Sequence, residues 1–468
     1  MLVLRVLCVC DSYEKVKARL CWSPHIALPL VEVPALNVIG IRKEEKPFEA
    51  RVPIIPAHID RLSSDHGLSF VVEPSTQRAF PVEEFSSVNA LVSPLIDSKA
   101  SIILGIKEMP MEFFEPSKVY MFFSHVTKGQ THNMPMLRRV MDVGATLIDY
   151  EHIVDDKGKR LVFFGNWAGM AGISDTLRAL GERLKYENVA PNPFAEMRET
   201  RKLRGLPELK QEFKALADRI SDKGLPKDLL PFVVGFAGYG NVSKGAQELF
   251  DILPHEVAQP HELPSLKSSP NTLYKCVFKE EDMVEPINPS NEFDLQDYYN
   301  HGSVKYHGTF QRHVPYLTVL VNCIYWSAKY PRLLTKEFIK SHWRAKNRRL
   351  RVIGDISCDI QGGIEFTLYA TNPAQPTFTY LVDKDVAVPG VMGDGPVVMA
   401  VDNLPCELPR ESSTSFSSSL LGFVPALANA DFSVPFEKLS LPRELKDAVI
   451  VYRGQLTPRY QYLQQFLQ

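Results

Sequence analysis

The chain has 468 residues, 45% hydrophobic and 23% charged, enough for two or more domains whose cores need no disulfide staples. Its 53 basic and 55 acidic residues leave a formal charge of −2, so no net basic field draws it to nucleic acid or an anionic membrane. The seven cysteines (Cys8, Cys10, Cys21, Cys276, Cys323, Cys358 and Cys406) are an odd number at scattered spacing and make no disulfide framework. Cys8 and Cys10 lack a second pair to complete a zinc site, so no metal is expected, and no apolar run reaches the roughly 18 residues of a membrane span.

Residues 1–36 are apolar with scattered basic residues. They read as an extension or a divergent organelle-targeting leader, although Asp11 and Glu14 count against a good transit peptide, which is acid-poor. From Asn37 the pattern sharpens. VIGI (38–41) predicts a short buried strand, and PIIPAHIDRLSSDHG a proline-led helix stopped by Gly67. LSFVVEP, IDSKASIILGIKEMP, VYMFFSH and ATLIDYEHI each carry a further strand. Strands alternating with helical segments predict an α/β fold with mainly parallel sheets. Residues 165–187 predict one long helix, whose small residues Gly165, Ala168, Gly169, Ala171 and Gly172 allow close packing. A second α/β unit opens at 231. Residues 255–315, rich in Pro, Ser, Asp and His, read as irregular insertions, and LTVLVNCIYW and LRVIGDIS as two more buried strands.

PFVVGFAGYGNVSKGAQELFDIL has the order strand, glycine loop, helix. Glycines at 235, 238, 240 and 245 depart from the strict G-x-G-x-x-G spacing, but the physics is retained. Without Cβ atoms, backbone amides can approach a pyrophosphate at a helix N-terminus. Gly235, Gly238, Gly240, Asn241, Val242 and Ser243 are therefore the candidate cofactor residues. An acid about 20 residues on would hold a ribose hydroxyl. Glu256 lies at that distance but enters its strand rather than leaving it, and Gln259 stands nearer the strand end. A missing acid leans toward a 2′-phosphate, hence NADPH.

Charged residues also end apolar strands in the N-terminal part: Arg51, Lys107, His125 and Glu151. Ligands of open α/β sheets bind beyond the carboxyl ends of strands. Arginine offers a fork for a substrate carboxylate, and a shielded lysine with a histidine can move protons near neutrality. In GDISCDIQGGIE (354–365), Asp355 and Asp359 face either the cofactor and substrate or a plain turn.

The stretches RKEEKPFEARVPIIP, LGIKEMP, FFSHVTKGQ, LIDYEHIVDDKGKRLVFFGNWAGMAG, GNVSKGAQELFDILP, CIYWSAKYPRLLT, GDISCDIQGGIEF and DNLPCELPRESS together resemble the lysine–ketoglutarate reductase half of aminoadipic semialdehyde synthase. The likeness runs in order from about Asn37 to the C-terminus, and extends more distantly to saccharopine dehydrogenase and alanine dehydrogenase. It implies two Rossmann-like domains with parallel sheets, an N/C-terminal substrate domain that is discontinuous in sequence, a central dinucleotide-binding domain, and the active site in the cleft between them. The boundaries expected are 1–36 for the extension, 37–165 for the first part of the substrate domain, 166–365 for the dinucleotide domain with an insertion near 255–315, and 366–468 for the return. The resemblance makes Lys107 and His125 the acid–base pair and Arg51 the substrate-carboxylate arginine. It makes Glu151 the carboxylate that tunes the lysine, and Asp359 the aspartate near cofactor and substrate, with Asp355 beside the cofactor. It implies NADPH as cofactor, L-lysine and 2-oxoglutarate as substrates, saccharopine as product, a mitochondrial matrix setting with the cytoplasm as the alternative, and in many members a fused saccharopine dehydrogenase half. Homo-oligomerisation is left open. The rival readings are an alanine-dehydrogenase-like amino-acid dehydrogenase and a non-catalytic sensor of dinucleotide or amino acid.

Overall fold

A computed structural model describes residues 37–88, 90–345 and 348–467. The N-terminal extension, with Cys8, Cys10 and Cys21, lies outside the described residues. Buried apolar runs become the strands β1 (Val38–Ile41), β2 (Phe70–Val72), β3 (Ala90–Val92), β4 (Ala100–Leu104), β5 (Val119–Phe122) and β6 (Thr146–Asp149). The helix Pro56–His66 starts on its proline and stops at Gly67, whose φ of 67° supplies the left-handed cap. After the long helix Gly165–Tyr186 come β7 (Val233–Ala237), β8 (His255–Ala258), β9 (Leu273–Phe278) and a small hairpin, β10 (Val284–Pro286) with β11 (Tyr306–Gly308). The strands β12 (Val319–Asn322), β13 (Val352–Asp355), β14 (Thr377–Leu381), β15 (Val386–Pro389), β16 (Val397–Met399), β17 (Val449–Tyr452) and β18 (Gln455–Leu456) complete the set.

These strands form two large sheets, ordered β18-β17-β6-β5-β4-β1-β2-β3 and β15-β14-β16-β13-β12-β7-β9-β8. Pairing is parallel except where β17 joins β6 and β18, and where β14 joins β15 and β16. The fold is thus α/β with two mostly parallel sheets, as expected, and the C-terminal strands close the first sheet.

Two expectations need correction. The return to the first domain does not begin at 366: β14, β15 and β16 belong to the second sheet, and the chain leaves it only after Met399. Nor is 255–315 irregular. It supplies β8 and β9, and β9 pairs directly with β7, one strand in from the edge of the sheet. Its sequence LYKCVF hides this role because Lys275, though 7% exposed, reaches Asp251 at 2.5 Å.

The long helix packs on the glycine-loop helix Asn241–Phe250 at backbone distance. A Cβ on Gly169 would stand 1.9 Å from the Val242 carbonyl oxygen, and one on Gly245 would stand 2.0 Å from that of Asn166. The small residues of 165–172 are therefore what brings the two helices together.

Where the chain leaves the second sheet, Glu407 meets Asp175 of the long helix. Both are buried, at 4% and 2% exposure, and Thr200 Oγ1 donates to Asp175 Oδ1 at 3.0 Å. Burial, reinforced by Asp175, holds the Glu407 carboxyl protonated well above its free value of 4.5. A carboxyl with a raised folded pKa contributes stability that is fully present below the unfolded value and is lost as pH rises toward the folded one. Melting temperatures of wild type and Glu407→Gln should therefore diverge as pH rises from about 5 through neutrality, the wild type falling relative to the amide. Parallel melting curves across that range would refute a shared proton at this junction.

Candidate active site

The glycine loop joins β7 to the helix Asn241–Phe250. Gly238 has φ 93°, a conformation that favours glycine. A Cβ on Gly240 would meet nothing within 4 Å, so this residue faces open space. The helix begins without a side-chain cap, leaving its first amides to a ligand. These features fit a pyrophosphate at Gly238, Gly240, Asn241 and Val242.

Two of the predicted cofactor residues are placed elsewhere. Gly235 lies inside β7, where a Cβ would press on Phe278 and Leu317 at 2.9–3.0 Å, so it serves strand packing. The Ser243 side chain is fully buried and its hydroxyl accepts from Gln247 Nε2 at 2.9 Å, leaving only its backbone amide for the phosphates. Gly245 is likewise a packing glycine.

The search for a ribose acid also shifts. The strand beside β7 is β9, and β8 lies at the sheet edge. The residues that follow the strand beside β7 are therefore Lys279 and Glu280, whereas Glu256 and Gln259 belong to the edge strand and its end. Glu280 accepts from Tyr299 Oη at 2.7 Å and, with Tyr239 and Tyr298, lines a 450 Å³ cavity beside Gly238 and Gly240. Lys279 makes only a loose 3.7 Å pair with Glu281.

In the first domain, Lys107 and Glu108 follow β4, and His125 follows β5. His125 holds φ 49° and its carbonyl accepts from Asn133 Nδ2 at 3.1 Å. Its ring Nδ1 is bonded to Glu108 Oε1. Burial pushes the Glu108 carboxyl up, but the bond to His125 and its charge, a backbone amide and Lys107 together draw it down to about 2. Lys107 loses its proton more readily than a free lysine, first because it is buried, then because Arg51 and Lys46 add positive charge nearby. Glu108 and His125 thus form a bonded pair, and Lys107 acts on Glu108 through its charge.

Arg51 is 3% exposed. Its Nε and Nη2 donate to Glu49 at 2.7 and 2.6 Å, Nη2 also donates to Asn403 Oδ1 at 2.7 Å, and its plane lies 4.1 Å from the Phe164 ring centroid. One edge of the fork is therefore already used by protein. Among the described residues Nη1 has no hydrogen-bond partner, so a substrate carboxylate would meet that edge.

Glu151 does not sit against Lys107. It accepts from Arg160, and Arg160 and His125 overcome its burial to lower its pKa. The carboxylates whose charge reaches Lys107 are Glu49 and Glu108. Asp355 is 1% exposed, and its oxygens accept from Asn322 Nδ2 (2.8 Å), Thr367 Oγ1 (2.6 Å) and the Cys358 amide (3.3 Å). It ties β12 to β13 and does not reach the cleft, while burial raises its carboxyl to about 6. Asp359 does line the cleft, with Lys128 nearby.

That cleft is a cavity of 890 Å³ with Lys128, Glu151 and Arg160 on one wall and Gly240, Asn241 and Asp359 on the other. It brings the first-domain charges opposite the glycine loop, with Tyr325 under the Lys128 ammonium at 6.0 Å. Sequence reasoning missed Glu49, Glu108, Lys128, Arg160 and Asn403. Glu108 had a signal, standing next to Lys107 at a strand end, and Lys128 lies three residues past His125. Asn403 had none, being 352 residues from Arg51. No helix is long and apolar enough to cross a membrane, and no metal-binding cluster occurs, among the described residues.

Comparison with known proteins agrees with this architecture. The family description "Alanine dehydrogenase/PNT, N-terminal domain" matches residues 40–171, and "Alanine dehydrogenase/PNT, C-terminal domain" matches residues 287–459. The chain is 38% identical over 450 residues to alpha-aminoadipic semialdehyde synthase of Arabidopsis thaliana, covering 91% of this chain and 41% of that protein. It is 32% identical over 452 residues to the mitochondrial alpha-aminoadipic semialdehyde synthase of Bos taurus, covering 91% and 47%. It therefore spans less than half the length of these two relatives. Saccharopine dehydrogenase [NAD(+), L-lysine-forming] of Emericella nidulans is 29% identical over 82% of this chain and 90% of its own length. Among solved structures, an L-alanine dehydrogenase superposes with a TM-score of 0.56 at 17% identity, over 92% of this chain and 99% of that one. The resemblance read from the sequence is borne out, and the chain belongs to the alanine dehydrogenase/PNT family.

Proposed function

We propose that this chain condenses L-lysine with 2-oxoglutarate and reduces the resulting imine with NADPH to saccharopine. The observation that carries the reading is the Lys107–Glu108–His125 group at the carboxyl ends of two strands, in a domain whose cationic cleft wall faces a glycine loop fit for a dinucleotide.

Both substrates bring carboxylates, and cations stand ready for them. Arg160 and Lys128 line the cleft, and Arg51 is oriented by Glu49 and Asn403. The lysine ε-amine must attack as a free base. Lys107, its pKa lowered by burial and by Arg51, can take the amine proton. Loss of water from the carbinolamine needs a proton on the leaving hydroxyl, and His125, fixed through Nδ1 by Glu108, can supply it. Asp359 on the opposite wall favours the cationic imine. The dinucleotide, when bound, supplies hydride to the imine carbon. Lys279, at the end of the strand beside β7, supports a 2′-phosphate, because Glu280 is already taken up by Tyr299. The Bos taurus relative is named mitochondrial, and we place this activity in the mitochondrial matrix.

The test is NADPH oxidation with lysine and 2-oxoglutarate, each alone and then together. Oxidation only with both is the expected result, with NADH much the poorer reductant. Oxidation with alanine's keto acid and ammonia instead would establish an alanine-dehydrogenase-like enzyme, and tight NADPH binding without any turnover would establish a sensor.

A further inference from the structure

Glu44 is a buried carboxylate that the chemistry above does not use. It is 7% exposed and stands just past β1, the strand next to β4. Its two oxygens accept from consecutive backbone amides, Ile106 N at 2.6 Å and Lys107 N at 3.0 Å. Those amides lie just after β4, where the ladder to β1 ends and would otherwise leave donors unpaired. Among the described residues no side-chain donor is bonded to Glu44. Its binding capacity is spent on the backbone of the residue that carries the amine.

From this geometry we infer that Glu44 is the positioning residue for Lys107: its carboxylate clamps the Ile106 and Lys107 amides and so fixes the backbone from which the Lys107 amine projects. The inference rests on the assignment of Lys107 to proton transfer. A carboxylate suits the task because two parallel N–H groups need two acceptor oxygens. A protonated carboxyl turns one oxygen into a donor and a much weaker acceptor, which loosens its hold on one amide. The charged and titratable groups acting electrostatically with Glu44 are Glu49, Arg42, Arg51, Arg78 and Tyr150. Burial first, then Glu49, raises its carboxyl to about 7, against the pull of the two amides and Arg42. The clamp should therefore close as pH rises through neutrality and slacken below it.

The test is Glu44→Gln, which keeps size and shape but presents an NH₂ where one acceptor was. Misplacing the amine by an ångström or so should lower kcat by about 10²-fold, with the KM for NADPH unchanged and the acid limb of the kcat–pH profile flattened. A purely structural role would lower the amount of folded enzyme and leave that profile as in wild type, which would overturn the inference. Because the variant could fold poorly, hydrogen exchange of the 104–109 peptide is followed in wild type as well. Protection that weakens below neutral pH, beyond the intrinsic pH dependence of exchange, is expected. Protection indifferent to pH would overturn the clamp. Lys107→Met separates the two ideas. If it retains turnover, the assignment of Lys107 fails. If it abolishes turnover while Glu44→Gln keeps the wild-type kcat and profile, only the positioning role of Glu44 fails.

Discussion

Replacing Lys107 with methionine should cut turnover by about 10²–10⁴-fold, the usual contribution of a positioned proton-transfer group, while leaving NADPH affinity close to wild type. The separation follows from geometry. Lys107 sits on the loop after β4 in the first sheet, whereas the amides proposed to hold the pyrophosphate sit on the helix Asn241–Phe250 of the second. The methionine keeps the stem packed and removes only the ammonium, so Glu49 and Arg51 retain each other. Single-turnover reduction together with NADPH binding by fluorescence would measure both quantities. Loss of NADPH binding in step with loss of turnover would point to a collapsed cleft and sink the proton-transfer assignment, as would near-normal turnover.

Gly169→Ala is expected to be the most damaging small substitution in the dinucleotide half. Its methyl would meet the Val242 carbonyl at 1.9 Å and the Ala246 nitrogen at 2.6 Å. Both obstacles are backbone, so the two helices must separate, at about 1–3 kcal/mol for an overpacked core site. Because one of those helices presents the phosphate-binding amides, NADPH affinity should fall along with thermal stability. Gly240→Ala makes the contrast. Its φ is −73°, which alanine adopts readily, and its Cβ meets nothing within 4 Å. That methyl should leave the melting temperature nearly unchanged yet weaken NADPH binding, because it projects where the phosphates would lie. Equal NADPH affinity in Gly240→Ala and wild type would show that the pyrophosphate lies elsewhere.

The parts of the site legible in the sequence are those with a local cause. The loop Gly238–Gly240 between an apolar strand and a helix is one. Lys107 and His125, charged residues closing runs of buried strand residues, are another. The cap at Gly67 and the small-residue face of the long helix also follow from neighbours a few positions away. The parts that escaped depend on distant pairings. β9 was hidden because a buried lysine interrupts its apolar run and is tolerated only by its ion pair with Asp251. Its place beside β7 makes Lys279 and Glu280, rather than Gln259, the residues that end the neighbouring strand. Arg51 reads as a free strand-end cation until Asn403, contributed by the returning chain, closes on it with Glu49. Asp355 has the strand-end position of a ligand residue, yet the side chains of Asn322 and Thr367 use its oxygens for the sheet.

By itself, the sequence determined the α/β class, the position of the glycine loop, the family, and the strand-end places of Lys107 and His125. Each follows from hydrophobic period, turn chemistry or side-chain identity, which act over a few residues. Tertiary structure alone decided which strand lies next to β7, where the chain returns to the first sheet, which carboxylates surround Lys107, and that Glu44 grips its backbone. Those outcomes turn on hydrogen bonds and ion pairs between residues tens to hundreds of positions apart, formed only when the buried polar groups of one segment find partners in another.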